Sequence, residues 1–333
     1  MTSLIKNLNK TKFILNVFFY KENKILSSSI HTNLIPSFYD KDPGPTFIND
    51  KVQNHLKLLT RINIKKVYRK RKMEDKYLHT PQYKFMTTEQ VEKLMNDMRL
   101  KAEEKLQMPP VVQVRKPIND ILSTDSALTG YDTAKFVFTD ITYGIDDRER
   151  IILTREPDGT LQKSDWNTRH RMNQLYFPRT GRSLAKPRMF EEQFLNDLLE
   201  RKEYEFILDS ACVQFEPDDE EYQKVTSICY QTISNERDFE KLRSTRHFGP
   251  LVFYLVWNKN IDNLLLDLLE TKYIEEASAL ISLFYTVHKI DVNNLSSDDL
   301  LKKYILESTA SNRAVLELAL QANENLKSTQ ALS

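Results

Sequence analysis

One central stretch of the chain carries three short runs dense in aromatic and β-branched residues. Such runs are typical of half-buried strands, in which alternate side chains lie on opposite faces. Pro157-Asp158-Gly159 favours a tight turn before the last run, because proline presets its φ and glycine accepts a positive φ. The pattern predicts a three-strand antiparallel meander with strands at 135–143, 150–156 and 160–162. Asp140 interrupts the first strand, where we expect a bulge, an exposed end or a partner charge.

Capping residues predict helices on both sides of this meander. Thr87 or Thr88 can cap a helix of about twenty residues, at 89–107, with its apolar residues at helical spacing. Ser164 is a favourable N-cap for a second helix, which should end near Tyr176 because Pro178 follows.

From residue 189 onward, the hydrophobic spacing becomes helical throughout. One continuous apolar face is formed by Tyr204, Ile207, Leu208, Ala211, Cys212 and Phe215. The segment Phe248–Trp257 is apolar on all sides and predicts the most buried helix. Short connections predict antiparallel neighbours. The expected fold class is α+β and mainly α: a small antiparallel β-meander with flanking helices, followed by an all-helical array of antiparallel helical hairpins.

Composition divides the chain into four predicted parts. Residues 1–33 hold five lysines and one acid around an apolar core, which is typical of a mitochondrial targeting leader. A secretory signal is the alternative, although lysines flank the apolar run on both sides. We then expect an extended basic arm at 34–80, an α+β domain at 81–188 and a helical domain at 189–333. Within the arm, a short helix after Asp42-Pro43-Gly44-Pro45 is expected, with Val52, Leu56 and Leu59 as its apolar stripe.

The net charge of +1 conceals a strong asymmetry between the two ends of the chain. Residues 1–110 hold 21 Lys and Arg against 11 Asp and Glu, whereas residues 189–333 hold 14 against 26. A basic front and an acidic back predict one surface for polyanions and another for proteins.

Two basic segments are the candidate RNA contacts, because cations gain affinity by releasing counterions from phosphates. The candidates in the arm are Lys65, Lys66, Arg69, Lys70, Arg71 and Lys72; those in the second segment are Arg169, Arg171, Arg179, Arg182, Lys186 and Arg188. Segment 163–188 contains a single acid, Asp165. We expect its bases to cluster on one exposed face, but pairing with the acids of 189–221 inside the fold is an open alternative.

Catalytic and metal-binding patterns are not recognisable in the sequence. Nucleotide-binding glycine motifs, HExxH and GxSxG are absent, and the six histidines show no ligand spacing. Cys212 and Cys229 form no CxxC pattern, and a Cys229–His247 pair would require a coincidence of folding. The longest apolar run, at 248–257, is too short to span a membrane. We therefore expect no catalytic residue, metal, cofactor, small-molecule substrate or membrane span.

Several strings together carry a family resemblance: KFVFTDITY, RERIILTREPDGTL, LYFPRTGR, VQFEPDDEEYQKV and KLRSTRHFG. Over roughly residues 45–325 the chain resembles the mitochondrion-specific small-subunit ribosomal proteins numbered twenty-two. The resemblance implies a non-catalytic structural protein of the mitochondrial matrix. Its expected partners are the mitochondrial small-subunit rRNA and neighbouring ribosomal proteins. Two alternatives are a free helical-hairpin RNA-binding or adaptor protein of mitochondria, and an enzyme with a polar pocket.

Overall fold

Four short strands form an antiparallel sheet in the middle of the chain: β1 (Ile121–Thr124), β2 (Phe136–Thr139), β3 (Ile152–Arg155) and β4 (Thr160–Lys163). Their order in the sheet is β1-β4-β3-β2, so the last three strands form the predicted meander. The sequence did not predict β1, which pairs with β4 and carries the irregularity in register, between Ile121 and Ser123. β2 ends at Thr139, directly before Asp140. Asp140 is therefore the end of a strand rather than a bulge.

The structure is a computed structural model in which residues 41–68, 83–130, 132–290, 297–307 and 310–331 are described. The predicted leader, 1–33, and the candidate cations Arg69, Lys70, Arg71 and Lys72 lie outside these residues.

The turn between β3 and β4 requires a glycine. Gly159 has a φ of +87°, and a Cβ at this position would lie 2.1 Å from the carbonyl oxygen of Asp125. Only glycine tolerates both the backbone angle and the close approach. The predicted Pro157-Asp158-Gly159 turn is thus confirmed, and it also brings the chain against the end of β1.

Helices flank the sheet, as predicted. α4 (Thr88–Lys105) begins with a capping box, in which Thr87 and Gln90 bond to each other's backbone N–H groups. α5 (Trp166–Tyr176) begins one residue later than expected, because its N-cap is Asp165, whose carboxylate accepts from the N–H groups of Asn167 and Thr168. Ser164 is instead buried, with its hydroxyl 2.7 Å from that of Thr154.

The segment predicted to be an extended arm is helical and packed over residues 44–67. It forms α1 (Gly44–Phe47), α2 (Asp50–Thr60) and α3 (Ile64–Val67). The predicted stripe of Val52, Leu56 and Leu59 is fully buried against the helical half. The extended-arm prediction is therefore wrong here, because this apolar stripe drives docking more strongly than the basic charges favour solvent.

The helical half begins at residue 192, after the connecting segment 177–191 that follows α5. Its helices are α6 (Glu192–Glu200), α7 (Tyr204–Gln214), α8 (Glu220–Glu236), α9 (Phe239–Leu242), α10 (Phe248–Trp257), α11 (Asp262–Glu270), α12 (Ile274–Val287), α13 (Ser297–Glu307) and α14 (Ala310–Ala331). Every residue of α10 except Trp257 is buried, as predicted for the most buried helix. Within the described residues, none of the helices combines the length and apolarity needed to cross a bilayer.

Lysines end several of these helices in a left-handed conformation. Lys202, Lys259, Lys272 and Lys289 have φ between 54° and 65°. After Lys272, for example, the N–H of Tyr273 returns to the carbonyl oxygen of Leu268 at 2.9 Å. Such closure satisfies the last carbonyl groups of a helix, and the positive side chain suits the negative end of its dipole. The reversals that join helices into hairpins therefore need no glycine here.

The hydrophobic core is confined to part of the chain. Its buried members come from residues 47–59 and 190–316. Among the described residues from 83 to 188, Ala102 and Ile152 are the buried apolar residues. Another kind of interaction must therefore hold the sheet and α5 to the helical half.

Candidate RNA-contact surface

Lys66 fastens the chain after α2 to the helical half instead of projecting into solvent. Its ammonium donates hydrogen bonds to the carbonyl oxygens of Glu240, at 3.1 Å, and Lys241, at 2.8 Å, and also to that of Arg243. These carbonyls lie at the end of α9, where a helix has unsatisfied acceptors. Lys65, one residue earlier, is exposed. The structure thus gives these two neighbouring lysines different environments.

Arg61 adds a second attachment at the same place. Its guanidinium bonds the carboxylate of Glu276 in a bidentate manner and lies over the ring of Tyr273, 3.3 Å from the ring centroid. This geometry exploits the planar fork of arginine, which lysine does not have. A run of cations that reads in sequence as a solvated arm is therefore partly used in tertiary contacts.

Among the candidate cations that the structure describes, Arg169 is the most buried, with 7% of its surface exposed. It lies on α5 and donates to the carbonyl oxygens of Arg148, at 3.0 Å, and Arg150, at 2.8 Å. Burial lowers the pKa of Arg169 from its usual value. Its side chain holds the loop before β3 against α5 and is inaccessible to a phosphate.

Arg179 and Arg182 both pair with carboxylates, although the side chain of Arg179 remains exposed and that of Arg182 is largely buried. Both guanidinium groups bond to Glu216 at the end of α7, at 2.8 and 2.9 Å. Arg179 also reaches Asp147 in the loop before β3, at 2.6 Å. Together they join the sheet region, the chain after α5 and the helical half. Lys186 makes a similar contact with Glu221, at 2.5 Å.

Two further arginines complete this junction, and the sequence reasoning missed both. Arg148 lies 3.0 Å from Asp218, and Arg115 pairs with Asp219 while its guanidinium lies 4.6 Å from the ring centroid of Trp166. The acidic run 218–221 was a usable signal, because four consecutive carboxylates attract counter-charges from elsewhere in the fold. We call Arg115, Arg148, Arg169, Arg179 and Arg182, with Asp147, Glu216, Asp218 and Asp219, the arginine junction.

The electrostatics of Glu216 reflect its place at this junction. Burial by itself would raise its pKa, but the hydrogen bond and charge of Arg182, with the charges of Arg179 and Arg148, hold the pKa below its ordinary value. The carboxylate is therefore ionised in the folded protein well into the acid range, and its attachment to the arginines persists at neutral pH.

The chemistry of the remaining reactive groups is that of a protein core. Burial raises the pKa of Cys229 to about 12, so the thiol is not a ready nucleophile at neutral pH. His247 lies 2.8 Å from the carboxylate of Asp209. Within the described residues, no group of three or more His, Cys, Asp or Glu side chains is placed to hold a metal ion.

The 163–188 bases therefore do not all lie on one exposed face. Arg179, Arg182 and Lys186 take the alternative that the sequence left open, pairing with acids of 189–221, whereas Arg169 is buried and bonds to backbone carbonyl oxygens. Arg179 and Lys186 are exposed although they are paired, and Lys65, Arg171 and Arg188 are exposed as well. Arg188 lies 3.9 Å from a carboxylate oxygen of Glu191 and 5.0 Å from the ring centroid of Phe194. Contact of Lys65, Arg171 and Arg188 with RNA remains a prediction.

Comparison with known proteins extends these observations. A family model described as "Mitochondrial 28S ribosomal protein S22" matches residues 45–289. The chain is also 40% identical, over 240 residues, to proteins named "Small ribosomal subunit protein mS22" from Bos taurus and Mus musculus. The alignment covers 72% of this chain and 66% of each relative, so the chain matches about two thirds of the length of these relatives.

Proposed function

Because the chain belongs to the mitochondrial 28S ribosomal protein S22 family, we propose that it is a structural protein of the mitochondrial small ribosomal subunit. In this role it supports mitochondrial translation in the matrix without catalysing a reaction. The carrying observation is the extent of the family match, which runs from α1 through α12 and so includes the sheet, the arginine junction and most of the core.

The proposed partners are the small-subunit rRNA and neighbouring ribosomal proteins. For the RNA, the supporting cations are the exposed Lys65, Arg171 and Arg188, together with Arg69, Lys70, Arg71 and Lys72 outside the described residues. For proteins, support comes from the acidic helical half, which repels phosphates. The paired arginines of the junction have a different proposed role: they attach the sheet region to the helical half.

Sedimentation tests the proposed function. The tagged full chain is expressed in cells, and a mitochondrial lysate is separated on a sucrose gradient with intact subunits. A structural protein should sediment almost wholly with the small subunit, and should shift to light fractions when the subunit is dissociated. A chain found mainly in light fractions, with intact subunits present, would favour the free RNA-binding or adaptor protein instead.

Charge variants test the RNA contacts separately. Replacing Arg69, Lys70, Arg71 and Lys72 with Gln, or Lys65, Arg171 and Arg188 with Gln, should weaken rRNA binding. Each lost phosphate contact should lower the salt slope by roughly 0.7–0.9. The control is Lys302, Lys303 and Arg313 replaced with Gln, since these cations lie in the acidic half. Equal losses in all three variants would contradict the assignment of the RNA surface.

A further inference from the structure

The strand β2 lies at an edge of the sheet and pairs only with β3 among the described residues. The N–H of Asp140 donates to the carbonyl oxygen of Ile151 at 3.0 Å, and the register places Phe138 opposite Leu153. Hydrogen-bonded pairs alternate along an antiparallel ladder, so Phe136 and Phe138 also bond to β3. The backbone groups of Val137 and Thr139 therefore point away from the sheet, where they are available to a further strand.

The side chains of β2 make this edge apolar. Phe136 is 47% exposed and Phe138 is 52% exposed, and they share the outer face of the sheet with Leu153. The opposite face carries the buried Ile152 and Thr154. An antiparallel sheet usually turns its polar alternates to solvent. Here aromatic side chains are exposed instead, which marks a surface that excludes water only when a partner covers it.

β2 is only four residues long, but it lacks the side chains and bulges that commonly protect an edge strand. Natural edges carry lysines, prolines or bulges that prevent pairing with another chain. β2 has none of these, and the adjacent Lys135 is engaged with Glu156, at 2.8 Å. Asp132 and Asp140 flank β2, whereas Asp147 is paired with Arg179. The two flanking carboxylates disfavour RNA and a second copy of the same edge, and they favour a basic polypeptide.

We propose that β2 is a docking strand for an extended segment of a neighbouring protein. The segment pairs with the backbone groups of Val137 and Thr139 and places alternate apolar side chains beside Phe136 and Phe138. It carries a basic residue toward Asp132 or Asp140. Main-chain hydrogen bonds supply affinity in this mode of recognition, and the flanking side chains supply selectivity. The inference rests on the proposed function, which provides the neighbouring protein.

Hydrogen–deuterium exchange tests the pairing. Amide exchange is compared between the free full chain and the purified small subunit that contains it. The amides of Val137 and Thr139 should exchange at least roughly tenfold more slowly in the subunit, because a strand partner protects them. The amides of Phe136 and Phe138, which already bond to β3, serve as the internal reference and should change much less. Unchanged exchange at Val137 and Thr139 in a subunit that contains the chain would overturn the docking strand alone. Absence of the chain from the subunit would overturn the proposed function and this inference with it.

A crosslinking variant identifies what covers the strand. Phe138→p-benzoylphenylalanine keeps an aromatic side chain at an exposed position, so the fold should be retained. After irradiation of assembled subunits, the crosslinked peptide should come from another protein, with apolar residues at alternate positions and a basic residue nearby. Crosslinks to rRNA, to a second copy of the chain or to a helical segment would each contradict the proposal.

Two substitutions test whether pairing at β2 is needed for incorporation into the small subunit. Val137→Pro removes an outward-pointing N–H, which an edge strand tolerates, and should reduce incorporation into subunits several-fold. Phe138→Lys leaves the backbone intact and places a charge on the outer face; it should also reduce incorporation. If the isolated variants retain the circular dichroism spectrum of the parent chain and still incorporate fully, the docking strand is excluded.

Discussion

The helical half and the sheet region of this protein are held together by different forces. In the helical half, α10 is surrounded by aliphatic and aromatic side chains, and the helices α1 and α2 complete the same core. In the sheet region, the interior groups are guanidinium groups bonded to carbonyl oxygens and carboxylates, while Phe136 and Phe138 are exposed. Apolar burial is non-directional, whereas hydrogen-bonded ion pairs depend on geometry and pH. One region is therefore held by an apolar core, and the other is attached through directional polar contacts and leaves Phe136 and Phe138 exposed.

The largest expected difference in the free energy of unfolding is between substitutions of a buried and an exposed phenylalanine. Phe253 is fully buried, with its ring 5.2 Å from that of Phe47. Phe253→Ala should lower the free energy of unfolding by about 3–5 kcal/mol, because it removes apolar contact and leaves a cavity. Phe138→Ala, at an exposed position of β2, should change it by less than about 0.5 kcal/mol. Urea denaturation of the full chain measures both, and similar losses would show that the two regions share one core.

The arginine junction should give a smaller and more local effect. Arg169→Met leaves the carbonyl groups of Arg148 and Arg150 without their donor, at a cost of about 2–4 kcal/mol. Amide exchange should accelerate in 146–155 and in α5 but not in α10. Arg171→Met, on the exposed side of the same helix, is the control and should have little effect. Faster exchange in α10 after the Arg169 change would mean that the sheet region is part of the helical core.

The smallest expected effect is the pH dependence of the junction. Glu216 has a lowered pKa in the folded protein, so its ionised form stabilises the fold. This contribution is complete above the unfolded pKa of about 4.3 and is lost as the pH falls through the lower, folded pKa. Glu216→Gln should therefore reduce the free energy of unfolding by about 1 kcal/mol at pH 7, with the difference from the parent shrinking below about pH 4.

Glu149→Gln, at an exposed position in the loop before β3, is the control and should change the free energy of unfolding by less than about 0.5 kcal/mol. Thermal denaturation monitored by circular dichroism at a series of pH values measures both variants. A constant difference for Glu216→Gln from pH 7 to pH 3 would show that its charge is not what stabilises the junction.

Local patterns were sufficient to predict the meander and most of the helices of this fold, although not β1. The helical spacing of Val52, Leu56 and Leu59 and the uniform apolarity of Phe248–Trp257 each predicted burial, and each is confirmed. The Pro157-Asp158-Gly159 turn was predictable for the same reason: the conformational limits of proline and glycine act within a few residues. The position of Asp165 as the N-cap of α5 was missed by one residue, because Ser164 found a buried partner in Thr154.

The partners of the charged side chains could not be predicted in the same way. Arg182 and Glu216 are 34 residues apart, and nothing near Arg182 in the sequence indicates whether it faces a phosphate or a carboxylate. The same holds for Lys66, which bonds to carbonyl oxygens of α9 instead of extending as part of an arm. Alternation along β2 predicted two faces but not which one is covered. The sequence by itself thus determined the helices, the meander and the buried stripes, because these depend on local backbone preferences and apolar spacing. Only the tertiary structure decided which cations are internal and which aromatic residues are exposed, because those outcomes depend on groups that folding brings together from distant parts of the chain.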